Sequence, residues 1–324
     1  MRVWDFSRRL FGVSAAAAML AGCGGLQPPI SAPGAMPQST TIATHAERGG
    51  SWMLPEARSS DLLYFVGTVG TKVVVFVLTY PSGKLVGKVN VAASQLCADQ
   101  KGNVFMTLGS RTGSDSKIVE YAHGGTKPIA TLDDPHNGAS GCAVDPSTHN
   151  LAVTNYGGDG TVLIYRNAKG TPSAYDLLLQ APYLAYDGES NLFALGFGKQ
   201  FTALQELPKG MKTFSRVRLE KQIKYPMGVQ WDGEHLALGQ GTSGFSSVAL
   251  IRQYTIKGHR AIWKGGTSVD TPAVSFFIDG STVIVSNGAT EVDFFVYPGG
   301  GLATKKIQAD YSPRSLVVSI APTH

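Results

Sequence analysis

The chain has 324 residues and a formal net charge of +5, with 43% hydrophobic residues, 16% charged residues and 39 glycines. Few charges and many glycines suit one large all-β domain rich in turns, and the scatter of the basic residues, without clustered aromatics, argues against a nucleic-acid partner. With Arg2, Asp5, Arg8 and Arg9 set aside as part of an N-terminal segment, the charge falls to about +3, too weak to steer polyanions.

In chain order, Arg8 and Arg9 precede an Ala-rich apolar stretch, Phe11 to Ala21, that is too short to span a bilayer and ends in small residues. This is the pattern of an export signal over residues 1–22. The tetrapeptide Leu20-Ala21-Gly22-Cys23 resembles a bacterial lipoprotein lipobox. The resemblance implies diacylglyceryl attachment to the Cys23 sulfur, cleavage before Cys23 and acylation of the new amine. Two or three acyl chains anchor a protein stably where one is marginal. Ser7-Arg8-Arg9-Leu10-Phe11 also resembles the twin-arginine export pattern, and a plain basic n-region reads equally well. Gly24 after the cysteine, by resemblance to lipoprotein sorting, favours the outer membrane or surface of a diderm cell envelope. Residues 23–60 are rich in Pro, Ser, Ala, Gly and Thr and read as a flexible tether. Within them Trp52-Met53-Leu54-Pro55 is an apolar knot expected to pack against the following domain.

Residues 61–324 carry a repeat with two landmarks. Tight turns open on an aspartate at Asp99, Asp145, Asp187, Asp232 and Asp279, spaced by about 46, 42, 45 and 47 residues, the period of four-stranded propeller blades. A Tyr or Leu followed by a Gly-bearing turn recurs at Tyr80, Tyr121, Tyr165, Leu207, Tyr254 and Tyr297. Asp side chains hydrogen-bond the backbone of such turns, and Gly supplies positive φ. Between them lie β-rich runs such as Leu62 to Val66, Val73 to Leu78, Val162 to Tyr165, Val283 to Ser286 and Phe294 to Tyr297, and no helical apolar period is sustained beyond the N-terminus.

Each complete repeat begins with an inner strand: Ser94 to Ala98, Gly141 to Val144, Tyr183 to Tyr186, Gly228 to Trp231 and Val274 to Ile278. The first repeat lacks one, and Pro313 to Ser319 supplies one at the end without a successor. The expected architecture is an all-β, six-bladed propeller in which the C-terminal strand completes the first blade and removes the open edges.

Two further cysteines, Cys97 and Cys142, sit on adjacent inner strands. Aligned on the turn aspartates they are offset by one residue, so a bridge between them and a pair of buried thiols both stay open. The face built from turns entering inner strands and leaving second strands draws on His136, Asn155, Tyr183, Tyr225, Gln240, Asn287 and Arg314, with Asp133, Asp134, Asn137, Tyr156 and Asp270 nearby. Asn155 and Asn287 occupy equivalent positions suited to fixing a turn, whereas Arg314 opens the closing strand and is the cation to watch for anion recognition.

Pro226-Met-Gly228-Val-Gln-Trp-Asp232-Gly233 resembles the repeat of the NHL and SMP-30/gluconolactonase-like propellers. Lactonases of that superfamily hold an axial divalent metal with Glu, Asn and Asp. Here the inner strands open on Ser94, Ser140, Tyr183, Met227, Ala273 and Arg314, with no carboxylate among them, so no metal and no cofactor is expected. His123, His136, His149, His235 and His259 fall on turns without a repeated placement, and Gly-x-Ser-x-Gly, HExxH and Walker-type motifs are absent. The expected function is a membrane-anchored, non-catalytic propeller that binds a protein, peptide or glycan. The alternatives are a metal-dependent SMP-30-like lactonase and a structural envelope protein whose channel mouth is plugged by Tyr183, Tyr225 and Met227.

Overall fold

Segments such as Leu62 to Val66, Leu151 to Asn155 and Val283 to Ser286 are buried on both faces, which is why they read as continuous apolar runs, whereas outer segments such as Pro128–Asp133, Ser173–Asp176 and Lys305–Gln308 are largely exposed. The computed structural model describes residues 50–109, 115–156, 160–197, 202–242, 248–309 and 311–322. The tetrapeptide Leu20 to Cys23, read from the sequence as a lipoprotein signal, and the rest of residues 1–49 lie outside them.

The described residues form six antiparallel four-stranded units around an axis. The first is built from Leu316–Ser319, Leu62–Val69, Lys72–Thr79 and Leu85–Val89; the second from Leu96–Ala98, Val104–Leu108, Lys117–Tyr121 and Pro128–Asp133. Ala139–Val144, Leu151–Asn155, Thr161–Tyr165 and Ser173–Asp176 make the third, and Tyr183–Tyr186, Leu192–Phe197, Thr202–Leu207 and Ser215–Leu219 the fourth. The fifth holds Pro226–Trp231, Leu236–Gln240, Ala249–Lys257 and Arg260–Val269, and the sixth Ser275–Asp279, Thr282–Ser286, Glu291–Val296 and Lys305–Gln308. The inner strands neighbour one another in a closed circuit, and Leu316–Ser319 pairs antiparallel with Leu62–Phe65 to close the first blade. The chain is therefore an all-β propeller.

Six apolar clusters fill the six seams between neighbouring blades. Residues of one strand alternate between seams. Leu62, Tyr64 and Val66 face the second blade, while Leu63 and Phe65 face the sixth. The repeated tyrosines latch the seams. Tyr165 Oη donates to the Asp133 carbonyl at 2.8 Å, Tyr254 Oη to the Lys221 carbonyl at 2.6 Å and Tyr297 Oη to Asp232 Oδ2 at 2.6 Å, each reaching back to the preceding blade or its connection. Burial raises the Asp232 pKa, but hydrogen bonds from Tyr297, Gln253 and two backbone amides outweigh it, so the carboxyl sits below its ordinary range.

The turn aspartates are structural. Asp99 Oδ1 accepts from the Lys101 and Asn103 amides at 2.9 and 2.8 Å, and Asp187 Oδ1 from the Glu189 and Asn191 amides at 2.9 and 2.8 Å. Residues 50–60, grouped by sequence with the tether, belong partly to the folded unit. Trp52–Met53 pairs with Gly87 and Lys88 as a fifth strand on the first blade, and a Cβ at Gly87 would collide with the Met53 sulfur. The Arg218–Leu219 strand end also pairs in parallel with Arg260–Ala261, joining the fourth and fifth blades into one eight-stranded sheet.

Cys97 and Cys142 form a disulfide across the seam between the second and third blades, with Cα atoms 5.8 Å apart. The one-residue offset is what brings them together. Neighbouring blades meet face to face, so side chains on opposite faces of adjacent blades point at each other.

Candidate functional site

The inner strands enclose a central cavity of about 710 Å³, within the size range of small-molecule pockets. Its wall is chiefly apolar, including Leu184, Met227, Val229, Phe276, Phe277 and Val317, and the Cys97–Cys142 pair is part of it. At Gly141 the third and fourth blades approach closely, and a Cβ there would collide with the Pro182 carbonyl. Two charged residues line it among the described residues: Arg314, where the inner strands begin, and Asp99, where they end. Asp99 is committed to its turn, since both oxygens accept hydrogen bonds, Oδ2 from Asn103 Nδ2 at 3.0 Å.

Arg314 is the opposite case. Its backbone is pinned, the amide donating to the Val66 carbonyl and the carbonyl accepting from Ser286 Oγ, both at 2.9 Å. Its side chain is exposed and makes no hydrogen bond or ion pair among the described residues. Tyr183 is half-buried in the same wall, and burial, with Tyr156 adding to it, raises its phenol pKa. Met227 also lines the cavity, but Tyr225 lies outside the wall, 57% exposed, in the left-handed region at φ 52°. The plug of Tyr183, Tyr225 and Met227 expected for a purely structural protein is therefore not formed. Tyr225 joins Tyr156, Phe197 and Val274 as exposed apolar side chains at the ends and beginnings of strands on the Arg314 side; the sequence places Tyr225 and Tyr156 on this face, and the structure adds Phe197 and Val274.

The remaining candidates do not converge on the cavity. Asn287 Oδ1 accepts from the Ala289, Thr290 and Glu291 amides at 2.9 to 3.0 Å, so its amide fixes a turn. Gln240 Oε1 caps the Lys224 amide at 3.1 Å. His136 lies against the Asp134 turn, its amide donating to Asp134 Oδ1 at 3.0 Å. Asp134 itself is buried and accepts from Ser116 Oγ and the Gly138 and Ala139 amides. Asn155, equivalent to Asn287 in the repeat, has a fully buried side chain, and among the described residues neither of its amide atoms has a hydrogen-bond partner. Among the described residues no three His, Cys, Asp or Glu side chains are grouped so as to hold a metal ion. His123, one of the turn histidines, spans the closure instead, with Nδ1 2.7 Å from Ser319 Oγ and Nε2 3.0 Å from the Ser60 carbonyl.

One buried carboxyl lies away from the axis. Asp293 is fully buried, neither oxygen has a hydrogen bond of good geometry, and the Lys306 ammonium stands 3.8 Å from Oδ2. Burial raises its pKa, while the nearby Thr271 hydroxyl and Lys306 pull the other way. An acid whose folded pKa is raised favours the folded state while protonated, and that contribution is lost as pH rises through the folded pKa. Asp293→Asn should therefore be more stable than the parent at neutral pH by about 1 kcal/mol and lose less stability between acid and neutral pH. Urea melts across that range check it; a variant less stable at neutral pH would refute the assignment.

No protein-family model and no curated protein matches the chain. Among solved structures, the chain is similar to a putative 6-phosphogluconolactonase from Bacteroides fragilis, at 13% identity and a TM-score of 0.53, with 82% of this chain and 99% of that one covered. At that identity the likeness concerns the fold.

Proposed function

We propose that the chain is a lipid-anchored, non-catalytic binding propeller of the bacterial envelope whose ligand enters the axial cavity. One observation carries the reading: the cavity has small-molecule size, its wall is more apolar than polar, and its charged side chains among the described residues are Arg314 and an Asp99 already bonded within its own turn. Hydrolysis needs a nucleophile, acid–base groups or metal donors grouped around the reacting atoms. A glycan is a poor occupant of the interior, because its hydroxyls would lie unpaired against Leu184, Val229 and Phe276. A protein or peptide partner would instead meet the rim of Tyr156, Phe197, Tyr225 and Val274. Attachment through Cys23 rests on the Leu20 to Cys23 tetrapeptide, and the outer-membrane location on Gly24.

The test uses the chain from Gly24 onward, which retains the whole closed ring, and the neutral fluorophore N-phenyl-1-naphthylamine. One site should brighten the dye, and Ser275→Trp, which places an indole on a half-buried wall position, should abolish the signal. Binding unaffected by Ser275→Trp would place the dye elsewhere and remove the support. The lactonase reading is favoured by the fold likeness to a putative 6-phosphogluconolactonase. Turnover of 6-phosphogluconolactone by the parent, lost in Arg314→Ala, would replace binding by catalysis. Incorporation of labelled palmitate into the full chain should disappear in Cys23→Ala, and its persistence would overturn the anchor.

A further inference from the structure

We infer that the axial cavity takes a single-chain amphipathic anion, with its acidic head on the Arg314 guanidinium and its apolar tail running down the axis; this rests on the cavity being the binding site. Four observations converge. The wall supplies apolar surface over the full length of the inner strands, roughly 20 Å for the six residues Pro226–Trp231. That shape suits an elongated tail better than a compact polar molecule. Two of the other polar side chains of the wall are spent, since Gln230 donates through Nε2 to the Ile278 carbonyl at 2.7 Å and accepts the Ile278 amide at 2.8 Å, and Ser315 Oγ accepts the Leu96 amide at 3.0 Å, while Ser94, Gln95, Ser275 and Gln100 lie toward the ends of the inner strands and leave the middle apolar. A ligand with hydrogen-bonding groups along its length would find few partners.

Arg314 is the one charged side chain of the wall without a partner among the described residues, and its rigidly held backbone fixes where that charge emerges. A planar guanidinium is suited to gripping a carboxylate or phosphate through two parallel hydrogen bonds. The two mouths are also electrically unlike. Asp99 stands at the far end, so an anionic head is attracted at one mouth and repelled at the other, which sets the direction in which the molecule lies. Tyr183 sits in the wall beside the Arg314 mouth with its hydroxyl as a further donor, and the exposed Val274 and Tyr225 line the approach of the tail.

Competition experiments on the chain from Gly24 onward separate head from tail. Dodecanoate should displace N-phenyl-1-naphthylamine about tenfold more tightly than dodecanol and more tightly still than dodecyltrimethylammonium, and acetate should not displace it at all. Arg314→Ala should bring dodecanoate to the level of dodecanol, Arg314→Lys should restore most of the difference, and added salt should narrow it because the guanidinium is solvent-exposed. Equal displacement by all three head groups, or a preference for dodecanoate that survives Arg314→Ala, overturns the anion assignment and leaves cavity binding intact. Displacement by acetate as good as by dodecanoate shows an anion site without a tail and overturns it as well. No dye signal together with no heat on titrating dodecanoate overturns the cavity reading itself, and this inference with it.

Discussion

A chain that ends at Ser312 is expected to form no cooperatively folded protein. The missing strand, Leu316–Ser319, is the inner strand of the first blade, and Leu316, Val317 and Val318 are each at most 5% exposed. Val317 packs in the seam with the second blade, while Leu316 and Val318 pack in the seam with the sixth, so one deletion opens two of the six seams. Burial of these three side chains is worth roughly 6 kcal/mol, comparable with the whole stability of an ordinary domain. The polar losses add to it. The Ala321 amide donates to Asp61 Oδ1 at 2.7 Å, Ser319 Oγ donates to the Gly102 carbonyl, and the Leu96 amide donates to Ser315 Oγ. Circular dichroism and a thermal melt decide the matter; a truncated chain with a sharp transition near that of the parent would show that the ring does not depend on closure.

Replacing Cys97 and Cys142 together by alanine should lower stability by about 4 kcal/mol, because the bridge closes a loop of 45 residues in the unfolded chain. For a domain of this size that corresponds to a fall of about 10 °C in the thermal midpoint. Alanine is the better probe than serine, since both positions lie in an apolar seam where a hydroxyl would be unpaired. The parent heated with a reducing agent should lose a similar amount, and a midpoint unchanged in both experiments would show that the bridge contributes no net stability. Its position gives the loss a local reading as well, because both cysteines line the cavity and their separation would loosen the wall.

The fold was legible because its signals are local. A turn aspartate such as Asp187 holds its own loop, so its spacing reports the blade period whatever packs around it. The phase of the strands was equally plain: Pro313 to Ser319 reads as an inner strand without a blade, and it pairs with the blade that lacked one. The candidate site was less legible, since the same residue type serves a turn or a ligand depending on what faces it. Asn287 and Asn155 look alike in the repeat, yet one binds three backbone amides and the other is buried with no partner among the described residues. Arg314 stood out because a cation opening an otherwise apolar strand has few structural uses. Asp293, a charge inside the run Val292-Asp293-Phe294, is not singled out by the sequence, and its nearest cation comes from Lys306 on the neighbouring strand, a register that only the folded sheet defines.

The parallel pairing of Arg218 and Leu219 with Arg260 and Ala261 makes the ring less symmetric than its repeat. A ring of six equal blades offers six equivalent places at which thermal opening can begin. Backbone hydrogen bonds join the fourth blade to the fifth at the outer rim, and Gly301 of the sixth blade bonds to Ser268 and Asp270 at the end of the fifth, so the three make one wide arc and leave four ordinary hinges. Slow breathing of the ring should therefore be carried by the first three blades, and backbone amides of the fourth to sixth blades should exchange with deuterated solvent through one shared opening event.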